Sequence, residues 1–181
     1  HLDSGQIKKA AIIGGGFIGI EMAENLRELG LDVSVIELAN QIMAPLDFEM
    51  AQILHQHVNM KGVELILSDG VKSFEYSGGK TVITLNSSKE IEADLVILAI
   101  GIKPNGELAK NSGLTVNQRG GIVVDQYLKT SDDNIYAVGD AIEVNDLVNQ
   151  VTAMVPLAGP ANKQGRIAAD NLTGRNVAYK G

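Results

Sequence analysis

Gly14, Gly16 and Gly19 stand in the stretch IIGGGFIGIEMAE, and an acid, Glu37, ends the next β-branched run. Glycine inside an ordered element costs about 0.5–1 kcal/mol relative to alanine, so glycines at the mouth of a helix need a reason. One reason is a tight strand-to-helix turn. The other is a backbone that a ligand must approach closely. The spacing Gly-x-Gly-x-x-Gly says little alone, but here it follows a strand pattern, opens a helix pattern and precedes an acid one strand later. In that setting each glycine has its own task. Gly14 allows the turn, Gly16 keeps a Cβ clear of a pyrophosphate, and Gly19 lets helix and strand pack closely. The N–H groups and dipole at the helix start favour an anion, the dipole by about 0.3–2 kcal/mol.

Glu37 bears on which dinucleotide this would be. A carboxylate there accepts hydrogen bonds from ribose hydroxyls and repels a 2′-phosphate. No Lys or Arg occurs between Glu28 and Met60 to hold such a phosphate. The pattern therefore points to NAD(H) over NADP(H), against the plainer alternative of a solvated acid at a strand end. Metal chemistry is not expected. His55 and His57 fall two apart on a predicted helix, hence on different faces, and no carboxylate cluster joins them.

The elements that must position these residues follow from periodicity. Residues 7–13 read as a strand, and 17–29 as a helix with the apolar stripe Ile18, Met22, Leu26 and Leu29. A second strand (32–37), a helix N-capped by Asp47 and closed by Gly62, and a third strand (63–67) complete a β-α-β-α-β order. Alternating strands and helices with short loops predict a parallel sheet with right-handed crossovers. Residues 71–85 then read as a hairpin turning at Gly78-Gly79. The unbroken apolar run Leu95–Ile100 predicts a strand buried on both faces that rejoins the parallel sheet. GIVVD and NIYAVGDA predict two short strands, and a last helix starts with Pro160 at its first position and ends near Gly174.

Composition narrows the class. The 181 residues are 45% apolar and 20% charged, as in ordinary globular proteins. With 22 acidic and 15 basic residues the net charge is −7, which disfavours nucleic acid as a partner. No apolar run approaches a membrane span, and the N-terminus lacks a signal-peptide pattern, so a cytoplasmic location is expected. There is no cysteine, so disulfides, thiolate metal sites and a cysteine nucleophile are excluded within this chain. The first methionine is Met22, which leads to the expectation of a piece of a longer protein.

The segments GGGFIGIEMAENL, NQIMAPLDFEMA, LVILAIGIKPN, TSDDNIYAVGDA and VPLAGPANKQGRIAADNLTG occur in that order. Together they resemble the flavin-dependent pyridine nucleotide–disulfide oxidoreductases, most closely the coenzyme A-disulfide reductases and related NADH oxidases. The resemblance spans nearly all of this chain but only the middle of such an enzyme. It implies an α/β fold: a Rossmann-like NAD(H)-binding domain over 1–110, with a parallel sheet and an antiparallel insert, then the C-terminal half of an FAD-binding domain over 111–181. Beyond Gly14, Gly16, Gly19 and Glu37, it implies cofactor-binding roles for six further residues. Phe17 falls at an aromatic position that screens the flavin until nicotinamide enters, although core packing would be the plainer reading of that residue alone. Ile18 lies beside it, and Glu21 falls where a carboxylate approaches the nicotinamide. Gly101 belongs to a Gly-x-x-Pro turn over the dinucleotide, in which Ile100 replaces the usual threonine. Asp140 falls at the acid that binds the ribityl–phosphate part of FAD, and Ala161 at the start of a helix facing the flavin.

The resemblance implies transfer of a hydride from NADH to FAD and on to a cysteine-based disulfide or persulfide. An NADH oxidase or peroxidase acting on oxygen species is the alternative, and a non-catalytic NAD-binding module is a reading from another class. The parent is expected to be a homodimer. No catalytic residue is expected in the chain itself, which alone should not reduce a disulfide and should hold FAD weakly or not at all.

Overall fold

Strand β1 (Lys9–Ile13) divides its side chains between two cores, as the period of two in a strand requires. In the computed structural model, which describes residues 6–180, Ala10 and Ile12 face one way and Ala11 and Ile13 the other. Helix α1 (Phe17–Glu28) leads to β2 (Asp32–Ile36), and α2 (Phe48–Met60) to β3 (Val63–Ile66). An antiparallel excursion follows, with β4 (Val71–Ser77), β5 (Lys80–Leu85) and β6 (Glu90–Ala93), before β7 (Leu95–Leu98) returns beside β1. The parallel sheet has the order β3-β2-β1-β7, and β4-β5-β6 form a separate antiparallel sheet. Ala23 and Leu26 of α1 and Val58 of α2 cover one face of the parallel sheet. Ile83, Leu85 and Ala93 of the antiparallel sheet cover the other. The hairpin turns at Gly78 and Gly79, both with positive φ, the conformation that a two-residue loop of matching twist demands.

The chain forms two compact units, one ending at Gly101 and the other beginning at Ile102. The second contains α3 (Glu107–Asn111), β8 (Ile122–Val123), β9 (Ile142–Asp146), β10 (Val151–Ala153) and α4 (Ala158–Leu172). β8 pairs in parallel with β9, and β9 antiparallel with β10. Leu128, Ile142, Val144, Ile167 and Ala168 form its core.

Several sequence expectations need correction. The buried face of α1 is Gly19, Ala23 and Leu26, while Ile18 and Leu29 are exposed. Small residues face the sheet because the helix start lies so close to β1. The run Leu95–Ile100 is not buried on both faces: β7 is an edge strand, and Leu98 and Ile100 are 60% and 74% exposed. NIYAVGDA is not a strand. It makes a single bridge, Lys129 with Tyr136, and then a 3-10 turn over Gly139–Ala141. The Gly139 N–H there is taken by a side chain instead of a neighbouring strand. β9 and β10 lie outside the expected strands: IEVND is mostly polar, and VTA is too short to show a strand's alternation. Asp47 occupies the N-cap of α2 without a side-chain cap bond, and Pro160 is the third residue of α4, not the first.

Candidate functional site

The glycine turn is fixed from several directions. Gly14 donates its N–H to the Ile36 carbonyl (2.8 Å), while the Ile13 carbonyl accepts from Ala99 (2.7 Å). Gly14 has φ +110, and a Cβ there would run into the Ala99 carbonyl oxygen. A Cβ on Gly19 would fall on the Gly14 carbonyl oxygen. These two glycines are demanded by the protein's own packing. Gly16 is different: a Cβ there meets nothing within 4 Å, and its φ of −78° suits any residue. Gly16 is also the N-cap of α1, with no side-chain cap bond and no acid in the first turn. The first N–H groups of α1 thus have no intrahelical partner and no capping side chain.

Glu37, just past β2, reaches back to this turn. Its carboxylate accepts the Gly15 N–H at 2.7 Å and the Ala39 N–H at 2.8 Å. Two bonds leave about half of a carboxylate's acceptor directions open, enough for ribose hydroxyls. The structure thus gives Glu37 a fastening role that its type and position alone did not reveal. Phe17 and Ile18 are 56% and 55% exposed on the first turn of α1, and Glu21 is exposed one turn on. Gly101, with φ +104, follows shortly after Ala99. Eight of the residues singled out from sequence therefore gather at the carboxyl edge of the parallel sheet, around its switch point at β1. Ligands of open α/β sheets bind at such a crevice.

The other two, Asp140 and Ala161, lie within the second unit, on a turn and a helix that touch through Gly139. The Gly139 N–H donates to Gln164 Oε1 at 2.7 Å, and a Cβ on Gly139 would lie 4.0 Å from that of Ala161. The turn carrying exposed Asp140 thus rests on the beginning of α4, whose N-cap, Leu157, makes no side-chain cap bond. Gln164 is 1% exposed. Sequence reasoning missed it, and the one signal was its placement three residues after Ala161, on the same helix face.

His55 is buried, and its Nε2 accepts the Ile42 N–H at 3.1 Å; burial lowers its pKa. His57 is exposed and His1 lies outside the described residues. Among the described residues no group of His, Asp and Glu could hold a metal ion. A shallow cavity of about 340 Å³, lined by Lys9, Asp32, Ser34, Glu64, Lys89 and Glu92 among others, opens at the opposite, amino edge of the parallel sheet. Its charges are mixed, and it has no part in the glycine turn. No helix among the described residues is long and apolar enough to cross a membrane.

A Gly-rich β-α turn on a parallel sheet, with an acid at the end of the second strand, defines a dinucleotide-binding class of α/β fold. The chain belongs to the pyridine nucleotide-disulphide oxidoreductase family, which residues 1–165 match. It is similar to the reduced CoADR-RHD of Bacillus anthracis, 49% identical with a TM-score of 0.94, covering 99% of this chain and 32% of that one. It is also similar to an NAD-dependent persulfide reductase from A. fulgidus, 40% identical with a TM-score of 0.95, over 99% of this chain and 34% of that one. An NADH oxidase of Methanocaldococcus jannaschii is 37% identical over 99% of this chain and 40% of its own length. The chain spans about 40% of the length of the curated relatives it matches.

Proposed function

We propose that this chain is the NAD(H)-binding part, with a portion of the FAD-binding part, of a flavoenzyme resembling coenzyme A-disulfide reductase. One observation carries the reading. Gly14 and Gly19 are required by packing, whereas Gly16 has open space where its side chain would be. The protein itself does not need a glycine there, and a pyrophosphate lying over that backbone does. The residues present therefore fit a dinucleotide. When bound, NADH supplies a hydride and FAD carries the electrons on to the acceptor.

The chain's own residues bind and orient. The open N–H groups at the start of α1 hold the pyrophosphate, and the dipole of α1 adds to the attraction. Glu37 accepts the adenosine ribose hydroxyls while keeping Gly15 in place, and a second phosphate on that ribose would meet its negative charge. Phe17, Ile18, Glu21 and Gly101 flank the remainder of the dinucleotide. Asp140 and the start of α4, near Ala161, serve the FAD portion, with Gln164 supporting the turn that carries Asp140.

Similarity to the A. fulgidus persulfide reductase supports a disulfide or persulfide acceptor, and similarity to the M. jannaschii NADH oxidase supports the second reading, an NADH oxidase. We assign the whole enzyme to the cytoplasm, as a homodimer. Calorimetric titration with NADH and NADPH tests the nucleotide reading. NADH should bind at least about tenfold more tightly, a difference of about 1.4 kcal/mol. Equal affinities would remove the role given to Glu37.

A further inference from the structure

Residues 39–46, between β2 and α2, contain no ionisable side chain, yet they are held firmly against the glycine turn. Ile42 is fully buried, and a Cβ built on Gly15 would lie 2.7 Å from Ile42 Cγ2, so the Ile42 side chain lies flat on the Gly15 backbone. Met43 donates its N–H to the Gly15 carbonyl at 2.8 Å and does so with φ +51. Methionine adopts that left-handed conformation only where its surroundings enforce it. With Glu37 accepting the Gly15 N–H, both polar backbone groups of Gly15 and the space beside it are fixed by this region.

The segment is anchored from its far side by His55. The imidazole is 8% exposed and its Nε2 accepts the Ile42 N–H at 3.1 Å. An accepting Nε2 must be unprotonated, because the imidazolium donates from both nitrogens. The surrounding ionisable groups are otherwise engaged or exposed. On α2 and its cap, Asp47, Glu49 and His57 are exposed. On β3, against which α2 packs, Glu64 is bound by Ser34 and Lys89. After β2, Glu37 accepts from Gly15 and Ala39, and at the start of β2 Asp32 faces Arg27. Burial alone depresses the His55 pKa.

We propose that His55 is a positioning residue for dinucleotide binding: its neutral imidazole fixes Ile42, and Ile42 with Met43 fixes Gly15 in the conformation that a pyrophosphate-bearing ligand requires. The proposal rests on reading Gly14–Gly19 as a dinucleotide turn. Protonation puts a donor opposite the Ile42 N–H, loosens the segment and weakens the ligand. Because coupling is reciprocal, the ligand must in turn hold His55 neutral to lower pH.

ADP-ribose, which carries the pyrophosphate and ribose but no redox group, is the probe. Calorimetry on the intact chain from about pH 8 to about pH 5 should show constant affinity above neutrality and a loss of about tenfold towards the acid end. Imidazole nitrogen and carbon NMR should show the Nδ1–H tautomer of His55 and a lower His55 pKa once ADP-ribose is bound. His55→Leu should bind about tenfold more weakly at neutral pH and lose the pH dependence. His55→Gln, whose amide oxygen can accept the same N–H, should regain part of the affinity, and His57→Gln should behave as the unaltered chain does. A folded His55→Leu chain with unchanged affinity and pH profile overturns the proposal. Should that variant not fold, a His55 pKa in the unaltered chain that ADP-ribose leaves unmoved overturns it equally. Failure of the unaltered chain to bind ADP-ribose at any pH overturns both the proposal and the dinucleotide reading beneath it.

Discussion

Gly16 and Gly19 are the same residue type three positions apart, and the structure separates their purposes. At Gly19 an added methyl group collides with the Gly14 carbonyl, which must move. Such overpacking typically costs about 1–3 kcal/mol. At Gly16 the methyl group enters open space, and an N-cap glycine exchanged for alanine costs about 1 kcal/mol or less. Gly16→Ala should therefore melt close to the unaltered chain while losing most of its NADH affinity, about tenfold or more. Gly19→Ala should lose stability and affinity together. Thermal melts beside calorimetric titrations measure both quantities, and parallel losses in the two variants would reduce Gly16 to a turn residue.

Helix α4 shows at the scale of an element how polar side chains organise a small unit. Its buried residues are Gln164, Ile167, Ala168 and Asn171, so its inner face is half polar. Each polar member holds a distant segment. Gln164 accepts from Gly139, and Asn171 donates to the Tyr127 and Val177 carbonyls and accepts from the Val177 N–H. A buried donor deprived of its partner costs about 1–3 kcal/mol. Gln164→Met keeps the volume and removes the acceptor, so urea unfolding should report a loss of that size. In the whole flavoenzyme the same change should release FAD more readily, since the Gly139–Asp140 turn loses its support. Asn171→Ala should match the loss of stability without that specific effect on FAD. Equal FAD retention in the two variants would detach Gln164 from the Asp140 turn.

At the scale of the molecule, the two units should respond differently to acid. Asp94 has a lowered pKa because its carboxylate accepts the Lys8 and Lys9 N–H groups. Asp69 is lowered chiefly by its hydrogen bond from the Ser87 side chain, and Asp146 by that from Asn149. Each depressed carboxylate adds stability above its unfolded value of 3.8, lost as pH falls through the folded pKa. His55 is depressed as well, so the unfolded chain takes up a proton there first, and stability declines as pH drops below 6.5. All the histidines precede Gly101. The first unit should therefore weaken already near about pH 5.5, whereas the second should hold until the carboxylates titrate. Hydrogen exchange at the amides of Ile12 and Ile142, compared at neutral and mildly acid pH after correction for intrinsic rates, measures this. Equal loss of protection at both amides would contradict it.

The sequence by itself determined the alternation of strands and helices up to β3, the hairpin at Gly78-Gly79, the Gly14–Gly19 turn with its acid at Glu37, and the family. These features rest on dihedral preferences and periodicities carried by a few adjacent residues. NIYAVGDA shows where such local evidence stops: its apolar residues suit a strand, but Gly139 gives its N–H to Gln164 on another element. Only the tertiary structure decided that Leu95–Leu98 forms a half-buried edge, that Glu37 ties down Gly15, and that His55 reaches Gly15 through Ile42. It also distinguished Gly16 from its neighbours, because vacant space is a property of everything packed around a residue and not of the residue itself. Contacts between residues far apart in the chain are set by how the layers pack, which no short stretch of sequence encodes.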